Sequence, residues 1–211
     1  MPKTLQLPKL YAILDVTCFA PQLRTTNSIV EFARDLGEGG VTLLQYRNKE
    51  GITRDMLRHA REIKRVLEGK VKLIMNDRAD ICVAAGYHGV HLGQDDLPAN
   101  GARLVVGVDR IVGVSTHDSQ QVKEADASPA DYIAIGPVFP TTGKKNPSAL
   151  VGLAGVKAAR AATKKPLVAI GGITRATAKS VIEAGADSVA VISDLLSSPR
   201  KVAEEFLRLL V

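Results

Sequence analysis

The sequence holds no tryptophan, only 4% aromatic residues and two cysteines among its 211 residues. Each scarcity removes a class of function. Surfaces that bind single-stranded nucleic acid interleave aromatic side chains with basic ones so that bases can stack. Here aromatics are sparse and no Lys/Arg cluster exceeds a pair, so nucleic acid is not an expected partner. Cys18 and Cys82 lie far apart and in no metal-ligand spacing. They read as free thiols in a reducing compartment, one of them packed as a small apolar residue. No apolar run approaches the roughly 18 residues a membrane helix requires, and residues 1–8 are too polar for a secretion signal. The expectation is a cytoplasmic protein with no membrane contact.

The chain does carry a 45% hydrophobic fraction, enough to bury a sizeable core without disulfides or a structural metal. Its length suits one domain spanning residues 1–211, with no low-complexity stretch and no interdomain linker. The net charge of +6 fits simple solubility, and it equally fits a phosphorylated small-molecule substrate facing part of the excess. A homo-oligomer is compatible with all of this.

Short Leu-, Ile- and Val-rich runs alternate with amphipathic stretches. The predicted strands are 10–15, 41–47, 72–76, 89–92, 111–115, 132–136, 167–170 and 188–191. They are apolar on consecutive rather than alternate residues, as strands covered on both faces must be. The predicted helices are 27–36 (opened by Asn27 as N-cap), 53–67, 79–85, 119–125, 153–162, 174–184 and 199–210, with the faintest pattern at 99–105. Strand–helix alternation in so short a chain implies a parallel sheet. An open doubly wound sheet would place a glycine-rich phosphate turn after its first strand. Instead Asp15 runs into Val16-Thr17-Cys18-Phe19, and the expected fold is a single-domain (β/α)₈ TIM barrel.

In such a barrel the reactive groups sit at the C-terminal strand ends. Those positions hold Asp15, Gln45-Tyr46-Arg47-Asn48-Lys49, Asn76-Asp77-Arg78, Gly93-Gln94-Asp95-Asp96, Ser115-Thr116-His117, the run from Gly136 through Lys144-Lys145, Gly171-Gly172-Ile173-Thr174 and Ile192-Ser193-Asp194. The opposite ends carry mostly Gly, Lys and Pro. Asp77 and one of Asp95 or Asp96 leave neighbouring strands at one level, an arrangement that suits Mg²⁺ with phosphate oxygens. Gln45, Arg47, Lys49, Asn76 and Lys144 form a donor set without acceptor charge, matched to a diphosphate. Any single Asp after a strand can equally be a helix cap, and Asp77 before Arg78-Ala79-Asp80 is such a case; the convergence of five donors and two acids is harder to explain that way. The Gly171-Gly172 turn, read as opening a helix beside Ile192-Ser193, marks a second anion site. His59 reads as a surface residue, His88 as facing the wrong end and His91 as packed core. His117 could reach the rim but completes no triad. With no nucleophile in view, the chemistry points to departure of a diphosphate.

These residues resemble the thiamine-phosphate synthase family. The resemblance runs from Leu10 to about Leu196. It is carried by Leu10-Tyr11-Ala12-Ile13-Leu14-Asp15, Leu44-Gln45-Tyr46-Arg47-Asn48-Lys49, Asn76-Asp77-Arg78-Ala79-Asp80, Gly89-Val90-His91-Leu92-Gly93-Gln94-Asp95-Asp96-Leu97-Pro98, Gly113-Val114-Ser115-Thr116-His117, Gly136-Pro137-Val138-Phe139-Pro140-Thr141, Ile170-Gly171-Gly172-Ile173 and Val191-Ile192-Ser193. It implies a transferase that joins 4-amino-2-methyl-5-hydroxymethylpyrimidine diphosphate to a thiazole phosphate and releases pyrophosphate, with loss of the diphosphate preceding capture by the thiazole nitrogen. It implies Gln45, Arg47, Lys49, Asn76 and Lys144 as pyrophosphate and pyrimidine contacts, and Asp77 and Asp96 as Mg²⁺ ligands. Ser115 takes the place of the pyrimidine-contacting serine, and Ser115 and Lys144 are the implied catalytic residues. Thr141, Thr142, Gly172, Ile192 and Ser193 match the thiazole-phosphate contacts.

The family pattern Pro-Thr-x-Thr/Ser-Lys is here Pro140-Thr141-Thr142-Gly143-Lys144, so one hydroxyl is missing, and a shifted register would put Lys145 in the place of Lys144. The polar run 140–150 is expected to act as a lid. Two rival readings are a thiazole tautomerase of the same superfamily and a non-catalytic phosphate-binding barrel; Lys49, Asn76, Asp77 and Asp96 argue against both.

Overall fold

A computed structural model describes residues 5–67, 69–141 and 149–211. Its parallel strands are β1 (Leu10–Asp15), β2 (Leu43–Arg47), β3 (Lys72–Asn76), β4 (Gly89–Leu92), β5 (Ile111–Thr116), β6 (Tyr132–Ile135), β7 (Leu167–Ile170) and β8 (Ser188–Val191). They close a barrel in chain order, with β8 paired back to β1. The helices alternating with them are α1 (Thr26–Glu38), α2 (Thr53–Leu67), α3 (Ala79–Ala85), α4 (Ala99–Val106), α5 (Ser119–Ala127), α6 (Gly152–Ala162), α7 (Ala178–Glu183) and α8 (Pro199–Leu209). The expected TIM barrel is therefore the observed one. No helix among the described residues is long and apolar enough to cross a membrane.

Several element boundaries shift by a few residues, and two of the shifts have a visible local cause. Asn27 lies inside α1, because Thr25 is the cap: its side chain accepts from the Ser28 amide at 3.2 Å. The helix expected from residue 174 starts at Ala178. Before it, Thr177 Oγ1 accepts from the Thr174 amide at 3.0 Å while the Thr177 amide donates to the Thr174 carbonyl at 3.0 Å. A hydroxyl that satisfies the backbone this way holds a turn in place of the first helical turn.

The period of two along each strand splits the core into two shells. Outward residues such as Leu14, Leu44, Met75, Val112 and Ile133 pack under the helices. Inward residues Tyr11, Ile13, Leu43, Ile74, Tyr132, Ala134, Val168 and Ala190 fill the barrel, and Leu5 and Leu7 pack against them from the segment before β1. His59 belongs to the outer shell, contrary to the surface position expected of it. It is buried with Met56, Ala60, Ile63 and Leu67 along the inner stripe of α2, and its Nδ1 lies 2.9 Å from the Tyr46 hydroxyl. Burial lowers its pKa, so a neutral ring suits this position. Cys82 is buried and Cys18 exposed, both as free thiols.

Candidate active site

Inward positions near the C-terminal end of the barrel change from apolar to polar. They form one cavity of about 230 Å³, lined by residues from every strand or the loop that follows it. Parallel registry sets the neighbours: Asp15 stands opposite Arg47, and Asn76 opposite His91. Gln45, Arg47 and Lys49 enter from β2 and its loop, Asn76 and Asp77 from β3, Asp96 from the loop after β4, and Ser115 from β5. Thr141 and Ile192 complete the expected residues that line it. Gly172 and Ser193 stand outside this lining, with Ser193 exposed at the start of the 3₁₀ turn Ser193–Leu196. Thr142, Lys144 and Lys145, with most of the expected lid, lie outside the described residues.

The donors are not free of acceptor charge, as the sequence had suggested. Arg47 is paired with the buried Asp15, which also takes the Thr17 amide at 3.0 Å and the Thr17 hydroxyl at 2.7 Å. Lys49 Nζ lies 3.0 Å from Asp77 Oδ2. Of the two candidate acids after β4, Asp96 stands beside the Asp77 carboxyl and receives the Gly93 amide at 2.7 Å, whereas Asp95 is more exposed at the rim of the same cavity.

Asp77 is held in an unusual state. Its backbone has φ of +60°, a conformation that Asp tolerates better than most residues. Its amide donates to the His91 carbonyl at 2.8 Å. It caps no helix by side chain, because α3 follows Arg78 without a side-chain cap bond. Its pKa is raised from 3.8 to about 6, chiefly by burial and next by the neighbouring Asp96, with Lys49 opposing both. Two carboxyls set side by side in a half-dry site repel each other as anions, so the pair fits a hard divalent ion.

The Gly171-Gly172 turn does not open a helix, which its reading as a second anion site required. Gly171 and Gly172 have φ of +102° and +62°, and they precede a turn rather than a helix start. A Cβ on Gly172 would come within 2.4 Å of the Pro140 carbonyl and 2.8 Å of Phe139 Cβ. Glycine is required here so that the loop after β7 can lie against the loop after β6.

The remaining lining residues were not assigned a role from the sequence. Tyr11 and His91 reach the cavity floor, His117 is fixed by its Nδ1 against the Gly136 carbonyl at 2.6 Å, and Gln94 donates to the Ser115 carbonyl at 2.5 Å. His91 is in the core as expected, yet it also faces the cavity. The usable signal was alternation: Tyr11, Ile13 and Asp15 share one face of β1, so a polar tip at residue 15 implies a wall at residue 11. His88 is exposed and its Nδ1 accepts from the Leu73 amide at 3.0 Å, away from this site. A larger groove of about 760 Å³ lies outside the barrel beside α1 and α2, but its Arg58 and Arg65 are paired with Asp55 and Glu62 of their own helix.

A (β/α)₈ barrel with two carboxylates and a fan of cationic and amide donors at its C-terminal mouth defines a barrel enzyme built for anionic substrates. Residues 11–195 match the family described as thiamine monophosphate synthase. The chain is 57% identical over 210 residues to thiamine-phosphate synthase of Koribacter versatilis, covering 100% of this chain and 99% of that protein. It is 41% identical over 165 residues to the synthase of Methanosarcina barkeri, with 78% and 75% covered. The solved thiamine phosphate pyrophosphorylase of Pyrococcus furiosus superposes with a TM-score of 0.84 at 32% identity, over 96% of this chain and 95% of that one. The chain belongs to the thiamine monophosphate synthase family.

Proposed function

We propose that this chain is a transferase that joins 4-amino-2-methyl-5-hydroxymethylpyrimidine diphosphate to a thiazole phosphate, giving thiamine phosphate and pyrophosphate. The observation that carries this reading is the single cavity in which Lys49, Asp77 and Asp96 face Gln45 and Ser115, in a chain 57% identical to a thiamine-phosphate synthase. The charged and amide groups lining the cavity suit small anionic substrates. We also place the enzyme in the cytoplasm, in keeping with its unpaired cysteines.

Arg47 and Lys49 are the groups that take the diphosphate oxygens, with Asn76 donating beside them. Lys144 adds a further cation from the loop after β6. Gln45 and Ser115 hold the pyrimidine over the floor formed by Tyr11 and His91. Thr141, Thr142, Gly172, Ile192 and Ser193 are the residues assigned to the thiazole phosphate. Asp77 and Asp96 are the residues that would hold Mg²⁺, whose charge would offset that developing on the departing diphosphate. Among the described residues the cavity positions no nucleophile, which supports a reading in which the carbon–oxygen bond to the diphosphate breaks before the thiazole nitrogen attacks and the walls keep water away from the cation in between.

The test is to mix both substrates with Mg²⁺ and follow pyrophosphate and thiamine phosphate together. Equal formation of both is expected. A folded protein that releases no pyrophosphate, or that only isomerises a thiazole, overturns the proposal. Replacing each loop lysine by alanine under single-turnover conditions separates their roles: Lys144→Ala is expected to be slowed by about 10² and Lys145→Ala to stay near the parent rate. The reverse order assigns the leaving-group contact to Lys145.

A further inference from the structure

Beneath the cavity a chain of hydrogen bonds crosses the barrel interior from β2 to β5. Gln45 Nε2 donates to the Tyr11 hydroxyl at 2.8 Å, and the Tyr11 and Tyr132 hydroxyls lie 3.0 Å apart. The Tyr132 hydroxyl lies 2.8 Å from His91 Nδ1, and His91 Nε2 lies 2.8 Å from Ser115 Oγ. The Tyr132 ring is stacked on His91, with an interplanar angle of 20° and centroids 5.5 Å apart. Gly113 makes room for it: a Cβ there would fall 2.0 Å from the Tyr132 ring carbon that bears the hydroxyl.

Proton counting gives this chain a direction. Burial pushes both phenols upward, so each keeps its single proton. The Tyr11 oxygen already accepts from Gln45, and its own proton then has the Tyr132 oxygen to go to. The Tyr132 proton is left for His91 Nδ1, which fixes the imidazole proton on Nε2. Nε2–H donates to Ser115 Oγ, and the serine proton is left to point into the cavity. Running the chain backwards would leave the Tyr11 proton, fully buried, without an acceptor unless the Gln45 amide turned over to present Oε1, so the direction follows from Gln45 Nε2 facing Tyr11.

We propose that Tyr132 is a positioning residue of this enzyme: acting through His91, it sets the tautomer that turns the Ser115 hydroxyl into a donor toward the pyrimidine diphosphate. This rests on the reading that Ser115 contacts that substrate. The chain of phenols and imidazole needs no net proton transfer and no change of charge; it presets one hydrogen-bond direction before substrate arrives.

The primary test needs no variant. In the ligand-free protein, with nitrogen-15 in histidine at about pH 8, where histidines are neutral, the His91 signals should show Nδ1 unprotonated and Nε2 protonated. His91→Gln identifies them by their loss. Tyr132→Phe should abolish this single tautomer and slow single-turnover pyrophosphate formation by about tenfold, the scale of one hydrogen bond, with KM for both substrates little changed. In a Ser115→Ala background, Tyr132→Phe should slow the reaction no further. Tyr11→Phe, which leaves the Tyr132 proton on His91, should preserve the tautomer. A parent His91 protonated on Nδ1 overturns the proposal, as does a Tyr132→Phe effect that persists undiminished without the serine hydroxyl. If the tautomer is as stated but the parent forms no pyrophosphate, the functional reading fails and the preset geometry stands.

Discussion

From β2 to the loop after β4 the cavity wall carries Gln45, Arg47, Lys49, Asn76, Asp77 and Asp96, whereas from β6 to β8 it is built of Ala134, Val168, Ile170, Ala190 and Ile192 with the bare backbone of Gly136 and Gly171. The first half is crowded with charge, and its charges neutralise one another: Arg47 leans on Asp15, and Lys49 on Asp77. Among the described lining residues the second half presents no charged side chain, and the packing of Gly172 against Pro140 ties its loops together. The difference teaches how a site for two anionic substrates can assign them sides. Under the proposed function, a diphosphate in the charged half would release Lys49 from Asp77 and find donors already in place, which would limit reorganisation when charge develops. An aromatic ring that must approach a cation without water is better served by the apolar half.

The strongest way to break this contrast is to remove its central acid. Asp77→Ala is expected to lower turnover by at least about 10²-fold while the barrel stays folded, because it deletes a principal electrostatic group. Pyrophosphate release at limiting Mg²⁺ measures it, and near-parental turnover there would remove Asp77 from the metal site. The matching perturbation of the quiet half is Gly172→Val. Both the φ of +62° and the 2.4 Å approach to the Pro140 carbonyl oppose any side chain. A loss of about 1–3 kcal/mol in stability is expected, together with a raised KM for the thiazole phosphate and an unchanged KM for the pyrimidine. Denaturant melts and steady-state kinetics in both substrates report the two parts. A selective effect on the pyrimidine substrate would exchange the sides.

The smallest effect follows from the pKa of Asp77, raised from 3.8 to about 6 by burial and by Asp96. Its native state holds the proton more tightly than the unfolded chain does, so metal-free stability from this group is present below pH 3.8 and is lost as pH rises to about 6. Asp77→Asn should remove that loss and leave the metal-free protein more stable at pH 8 by on the order of 1–2 kcal/mol, the free-energy scale of one to two pKa steps less solvent screening. Melting temperatures of parent and variant at pH 4 and pH 8 compare the two. Equal pH dependence in both would mean that Asp77 is not strained by its neighbours.

Much of this molecule was legible from residue order. Strand spacing, two-sided burial and the one-sided list of polar strand ends determine a (β/α)₈ barrel and the end that carries the site, because both depend on local periodicity and on which face each residue must take. The side-chain types at residues 45–49, 76–77 and 95–96 point to an anionic ligand and a hard cation for the same reason. Tertiary structure alone decided that Asp96 rather than Asp95 meets Asp77, that Arg47 and Lys49 already have partners, that His59 is buried against Tyr46, and that the Gly171-Gly172 turn serves loop packing in place of a helix start. It also joined Gln45, Tyr11, Tyr132, His91 and Ser115, which lie up to 121 residues apart along the hydrogen-bonded chain. Periodicity can say that each of these side chains faces inward. Only closure of the barrel sets the distances between them, and a hydrogen bond exists or fails within a few tenths of an ångström.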